Sequence, residues 1–233
     1  MNYEQMILTA SVWVLPVLFA ITFHEAAHGF VAWRRGDDTA YMLGRVTFNP
    51  LRHIDPVGTI LVPAILLLPA LLWGGKPILF GWAKPVPINF RRLHSPRKDM
   101  VLVAVAGPGI NLLLALLSAV MIHLSVILPG LSATWATANL ENSILINLVL
   151  AVFNMIPLPP LDGGRVAVGL LPRRIAYSLA RLEPYGFMII IGVLFILPWL
   201  GDKLGMRLDF FQMVIGVPVS YLFDWIIRLA GHG

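Results

Sequence analysis

The chain has 233 residues, of which 58% are hydrophobic and only 12% charged, with a mean hydropathy of +0.81. That balance excludes a soluble enzyme and predicts one all-α polytopic membrane domain over residues 1–233, because long apolar runs recur throughout and leave no room for a soluble module. The net charge of +5 is an orientation signal in such a protein, not a nucleic-acid footprint, and the absence of Cys excludes disulfides and Cys-ligated zinc.

The first apolar run extends from about Met6 to Trp33, with Pro16 placed to kink it. Arg34-Arg35 marks its cytoplasmic end by the positive-inside rule, so the N-terminus faces outwards. Within this run lies Phe23-His24-Glu25-Ala26-Ala27-His28-Gly29, an H-E-x-x-H sequence. Positions i and i+4 of a helix share a face, so His24 and His28 can aim both imidazoles at one ion, while Glu25 is turned to reach a water beside it. Two His and one carboxylate around zinc leave an open position for that water. A chance match in an ordinary helix is the bland reading. Three ionisable groups in an apolar helix are expensive, and that cost favours a metal site.

Beyond Arg35, the alternation in Leu43–Pro50 predicts a short strand on the cytoplasmic side. His53 reads as a surface-loop histidine ahead of a fourth ligand or a substrate contact. Thr59 to Leu72 and Pro77 to Trp82 are apolar but broken by Pro63, Pro69 and Gly74-Gly75, so residues 57–82 either span or re-enter the membrane. Gly81-Trp82-Ala83-Lys84-Pro85-Val86-Pro87-Ile88-Asn89-Phe90 is too Pro-rich for a helix. It is either an edge that pairs with an extended substrate, through residues such as Trp82 and Pro85, or a plain connector.

Val101 to Leu128 is the second clear span. Gly107-Pro108-Gly109-Ile110-Asn111 lies near its start, its small residues letting helices approach closely, and Asn111 reads as a packing hydrogen-bonder ahead of a site contact. Pro129 to Asn142 reads as a polar outer loop; its Gly130-Leu131-Ser132-Ala133 lacks the last Gly of a serine-nucleophile motif. Ser143 to Ile156 returns inwards and ends in Asn154-Met155-Ile156-Pro157-Leu158-Pro159-Pro160-Leu161-Asp162-Gly163-Gly164-Arg165. The prolines stop the helix and set Asp162 at about the depth of His28, where a carboxylate needs a cation or metal. Asp162 is therefore read as third ligand rather than a turn residue. Arg173, Arg174 and Arg181 mark another cytoplasmic segment. Phe187–Leu200 and Phe210–Ile227 form C-terminal spans (about 185–230), the last returning with Arg228 inside. That makes 5–6 membrane segments in all.

H-E-A-A-H in a first span, joined to N-M-I-P-L-P-P-L-D-G-G-R in a later one, resembles the site-2 protease family of intramembrane zinc metalloproteases. G-P-G-I-N and G-W-A-K-P-V-P-I-N-F are similar to that family too, so the likeness covers the core at about residues 6–172. The resemblance implies one zinc ion on His24, His28 and Asp162, Glu25 as catalytic base, and Asn154 as a polar contact near the site. It implies hydrolysis of membrane-spanning protein substrates in a prokaryotic inner membrane, with the active site towards the cytoplasm. The chain looks like a compact form without a PDZ or CBS module. Asn154, Asn111, Trp82 and Pro85 are the candidates for substrate or oxyanion contact. A membrane metal-ion transporter and an inactive helix-binding scaffold are the alternatives; the first needs a polar path through outer halves of spans that look almost purely apolar.

Overall fold

The computed structural model describes residues 3–62, 65, 84–125, 127–205 and 209–232. In chain order its helices are α1 (Tyr3–Arg34), α2 (Thr39–Met42), α3 (Pro96–Ser125), α4 (Gly130–Asn154), α5 (Asp162–Leu170), α6 (Arg173–Ala180), α7 (Glu183–Ile191), α8 (Leu197–Lys203) and α9 (Val217–Leu229). Short tighter or wider turns lie at Pro50–Arg52, Pro56–Leu61, Phe90–Arg92, Gly192–Ile196 and Gln212–Gly216. Five helical stretches are long and apolar enough to cross a membrane: Leu8–Arg34, Pro96–Ser125, Gly130–Asn154, Glu183–Gly201 and Gln212–Leu229. The protein is an all-helical integral membrane protein, as the composition requires. Most of residues 63–83, Trp82 included, lies outside the described residues, and with it the choice between spanning and re-entry for 57–82.

α1, α3 and α4 pack together as the frame of the site. Lipid offers no hydrophobic drive for helix association, so close packing and interhelical hydrogen bonds must supply it. Ala115 and Ala119 of α3 let the backbone of α3 approach Ile144 and Leu148 of α4, and Ile215, Val219 and Ile226 close the same cluster from the C-terminal segment. Polar side chains tie the helices at intervals. Trp135 Nε1 donates to Ser11 Oγ at 2.9 Å, Asn142 Nδ2 to the Val12 carbonyl at 2.9 Å, and Ser118 Oγ to Ser143 Oγ at 2.8 Å.

Three expectations are corrected. Leu43–Pro50 forms no strand, and none occurs among the described residues. The alternating residues there have no neighbouring strand to pair with; the chain turns at Gly44 (φ +63°) and Phe48 stacks on Phe23 at 4.5 Å between ring centroids. Pro129–Asn142 is not a loop but lies at and within the start of α4. Its amide donors find carbonyls within the helix frame: Asn139 Nδ2 donates to the Trp135 carbonyl of α4 and Asn142 Nδ2 to the Val12 carbonyl of α1, both at 2.9 Å.

Nor does the last helix return to the Arg34 side. The His232 ring stacks on His123 at 3.9 Å, and its Nε2 donates to the Ala119 carbonyl at 2.8 Å. The end of α9 therefore sits beside the far end of α3, whereas Arg35 lies near Asp99 at the opposite end. Charge counting weighs only the loops; the packing of Ile215, Val219 and Ile226 against α3 and α4 sets the direction here.

Candidate metal centre

His24 and His28 stand one turn apart on α1, their rings edge to face with centroids 4.6 Å apart. Asp162 is the first residue of α5 and enters from the other side. Its Oδ2 lies 3.2 Å from His24 Nε2 and 3.2 Å from His28 Nε2, and the two Nε2 atoms are 3.0 Å apart. All three side chains are buried, each residue being 6% exposed. The chain brings together donors separated by more than 130 positions, and this is the group of His, Asp and Glu among the described residues that could hold a metal ion.

Both imidazoles are oriented from behind. His28 Nδ1 is 2.7 Å from the Val103 carbonyl. A carbonyl can only accept, so the proton of neutral His28 is on Nδ1 and its Nε2 is bare. His24 Nδ1 is 2.5 Å from Asn111 Oδ1. Which way the Asn111 amide points follows from its other end: Nδ2 donates to the Ala20 carbonyl at 3.2 Å and to Asn147 Oδ1 at 2.7 Å. Asn111 therefore presents oxygen to His24, and His24 too carries its proton on Nδ1 with Nε2 bare. Such hydrogen bonds behind a ligand fix the tautomer and the direction of the ring.

Backbone proximity completes the cradle. A Cβ on Gly107 would strike the His28 Nε2 and lie 2.6 Å from His24 Nε2, so α3 can pass this close to the imidazoles only with glycine. Gly163 and Gly164 play the same part for Asp162: a Cβ at either would collide with the backbone of Met155 or of Leu158 and Pro159, the loop that folds under α5.

Glu25 faces another partner. Its Oε2 accepts the Val86 N–H at 2.7 Å. Val86 belongs to the non-helical stretch 84–89, which is fastened at several further points. Arg45 donates to the Lys84 carbonyl at 2.6 Å, the Lys84 N–H to the His53 carbonyl at 2.9 Å, and the Asn89 N–H to Asp37 Oδ2 at 2.6 Å. Pro85 and Pro87 have no N–H to offer, so at those positions the stretch can only accept. Pro85 is exposed.

The other expected site residues are placed as follows. Asn111 is part of the centre, behind His24. Asn154 is half-buried, and its Nδ2 donates to the Leu150 carbonyl of its own helix at 3.0 Å rather than to the His24–His28–Asp162 group. His53 is buried at 2% exposure, not on the surface, and its Nε2 lies 3.0 Å from the Thr47 carbonyl; it does not join the metal-binding group. Burial, reinforced by the charge of Arg45, holds its imidazole below the ordinary value, against the opposing bond to Thr47. Asn147 and the Val103 carbonyl were not anticipated, whereas the close helix approach expected at Gly107–Asn111 is found at Gly107. Asn147 could have been, since it is an amide in the apolar run Ile144–Leu150, the signal that singled out Asn111.

The family described as peptidase family M50 matches residues 120–197, a span that contains Asp162. A Bacillus subtilis (strain 168) protein named "Putative zinc metalloprotease YwhC" is 40% identical over 194 residues, covering 79% of this chain and 80% of its own length. Proteins named "Putative zinc metalloprotease Rip2" are 29% identical in Mycolicibacterium smegmatis (78% of this chain, 65% of that protein) and 28% identical in Mycobacterium tuberculosis H37Rv (82% and 70%). No solved structure matches the chain. With a relative of that identity aligned over four-fifths of both chains, and with the paired imidazoles of α1 closed by Asp162, the chain belongs to peptidase family M50, the site-2 protease family.

Proposed function

We propose that this chain is a zinc metalloprotease that hydrolyses peptide bonds of membrane-embedded protein substrates, with His24, His28 and Asp162 holding one zinc ion and Glu25 as general base. The observation that carries the reading is the donor triangle, with edges of 3.0, 3.2 and 3.2 Å. Tetrahedral zinc with bonds of 2.0–2.1 Å needs donors roughly 3.3 Å apart. The bare Nε2 atoms, the buried carboxylate and the glycine opposite them fit such an ion. Two imidazoles and a carboxylate are also a donor set suited to zinc. The names of the relatives agree with this metal and this activity.

Zinc bound there supplies Lewis acidity towards a water and a peptide carbonyl. The protein's own part is proton transfer and placement. Glu25 takes a proton from the attacking water at Oε1 and returns it to the leaving amine, while the Val86 N–H holds Oε2. A helical substrate hides its carbonyls in i→i−4 bonds and must unwind before its peptide bond can reach a centre inside the span Leu8–Arg34. The fastened stretch 84–89, with Pro85 beside Val86, is the surface next to Glu25 on which an unwound segment would lie. Arg34 and Arg35 after α1 support a site on the cytoplasmic side by the positive-inside rule, and the bacterial relatives favour a prokaryotic inner membrane.

The test is cleavage by the purified chain of a membrane-spanning reporter, with Glu25→Gln as comparison. The variant should retain zinc and lose at least about 100-fold in rate. A Glu25→Gln protein that cleaves as fast as the parent removes Glu25 from this role.

The transporter reading gains one observation, a polar line from His24 through Asn111, Asn147 and Ser143 to Ser118. Those groups are neutral and bonded to one another, and no carboxylate or imidazole beyond His24 lies on the line, so it offers a divalent cation no charged step. Zinc flux into liposomes containing the protein would establish transport instead.

A further inference from the structure

We infer that Asn147 is a positioning residue of the metal centre, holding the Asn111 amide in the orientation that keeps His24 Nε2 turned towards His28 and Asp162. The inference rests on the zinc reading above. Asn147 is 1% exposed and Asn111 0% exposed, both beside the apolar cluster of Ala115, Ala119, Ile144 and Leu148. Two amides there are costly to bury unless every donor finds an acceptor.

The pairing is complete and has one direction. Asn147 Nδ2 donates to the Ser143 carbonyl at 2.8 Å and lies 3.3 Å from Ser143 Oγ, which turns Asn147 Oδ1 towards α3. That oxygen accepts from Asn111 Nδ2 at 2.7 Å, and Asn111 Oδ1 then faces His24 Nδ1 at 2.5 Å. The line starts at a backbone carbonyl of α4 and ends on a candidate ligand of α1, so neither amide can flip without losing a bond inside an apolar interior.

Asn147 has a second consequence for the site. Its helix, α4, runs on into the Met155–Leu161 loop that delivers Asp162, while Asn111 sits on the helix that packs against both histidines. The Asn111–Asn147 bond therefore sets the register between the element carrying the carboxylate and the elements carrying the imidazoles. A leucine at 147 would suit the surrounding cluster and break that register pin.

The experiment measures zinc affinity of the purified full chain in detergent by competition with a chromogenic chelator, together with the visible spectrum of the cobalt-substituted protein. Asn147→Leu should bind zinc about 10-fold more weakly, in the range found for groups behind metal ligands, and shift the cobalt bands. Asn147→Asp, held protonated in this apolar interior, keeps an O–H donor for the Ser143 carbonyl and an acceptor for Asn111, and should bind zinc more tightly than Asn147→Leu. The double variant Asn111→Leu/Asn147→Leu should be no weaker than Asn111→Leu alone, since Asn147 acts through Asn111.

Parental affinity in folded Asn147→Leu, or additive losses in the double variant, overturns the inference and leaves the zinc reading intact. If Asn147→Leu does not fold, Asn147→Ser takes its place and is read the same way, its hydroxyl being too short to reach Asn111. Failure of the parent to bind zinc, or binding indifferent to His28→Ala, overturns the zinc reading itself and this inference with it.

Discussion

His24 meets Asn111 through a 2.5 Å contact between Nδ1 and Oδ1, and this contact does for one imidazole what the Val103 carbonyl does for the other. The two histidines are thus oriented by unlike partners, a side chain that can be replaced and a backbone atom that cannot. Asn111→Leu should lower zinc affinity about 10- to 100-fold, the usual cost of losing the group behind a ligand. Chelator competition measures it. An unchanged affinity would mean that α1 alone orients His24.

Gly107 makes a sharper test of the same geometry. Alanine there places a methyl against both imidazoles, whereas a Cβ at Gly109, two residues on, meets nothing within 4 Å. Gly107→Ala should bind zinc poorly and lose roughly 1–3 kcal/mol of stability by overpacking, while Gly109→Ala behaves as the parent. Metal analysis and thermal melting in detergent separate the pair; equal behaviour would show that α3 can move away from the site at no cost.

These two cases also mark how far the residues could be read without coordinates. The grouping of His24 with His28 was legible because helical spacing puts i and i+4 on one face, and that of Asp162 because a carboxylate at that depth needs a cation. Asn111 stood out as an amide among apolar neighbours, and by the same rule Asn147 should have. The Val103 carbonyl could not be read, since every residue has one and only the crossing of α1 and α3 brings this one to His28. The small residues at Gly107–Asn111 signalled a close approach of helices, but that it falls on the imidazoles depends on the same crossing. The expected strand at Leu43–Pro50 failed for the converse reason: alternation describes one strand, but a ladder takes two. The direction of α9 was misjudged because Arg228 was weighed and the His123–His232 stack could not be.

His53 is predicted to matter for acid stability and not for metal. It lies apart from the metal-binding group, so His53→Gln should leave zinc stoichiometry unchanged by elemental analysis. Its pKa is lowered from 6.5 chiefly by burial, so the unfolded chain takes up the proton before the folded one does. The folded state therefore loses stability as pH falls below about 6.5, until the buried ring itself protonates. In His53→Gln that part of the acid sensitivity should disappear, and melting temperatures across pH 5–7.5 should flatten relative to the parent. A variant with the parent's slope would place the acid-sensitive group elsewhere.

The bond from the Val86 N–H to Glu25 predicts a variant that separates metal binding from proton transfer. Proline at 86 deletes the N–H while suiting a stretch that already holds Pro85 and Pro87, and alanine at 86 keeps the N–H while trimming the side chain. If the backbone donor holds Glu25 for catalysis, Val86→Pro retains zinc but falls in kcat by about 10-fold, the order expected when one hydrogen bond of ~1.5 kcal/mol to a charged group is lost, and Val86→Ala does not. The opposite sign is equally informative. A faster Val86→Pro enzyme would mean that the N–H restrains Glu25 in the resting state and that stretch 84–89 has to release it before a substrate can be cut. Side-chain packing against Gly29, which a Cβ would approach to 3.1 Å from Val86, is lessened in Val86→Ala as well. A loss shared by both variants would therefore trace to packing, leaving the backbone donor without a part in catalysis.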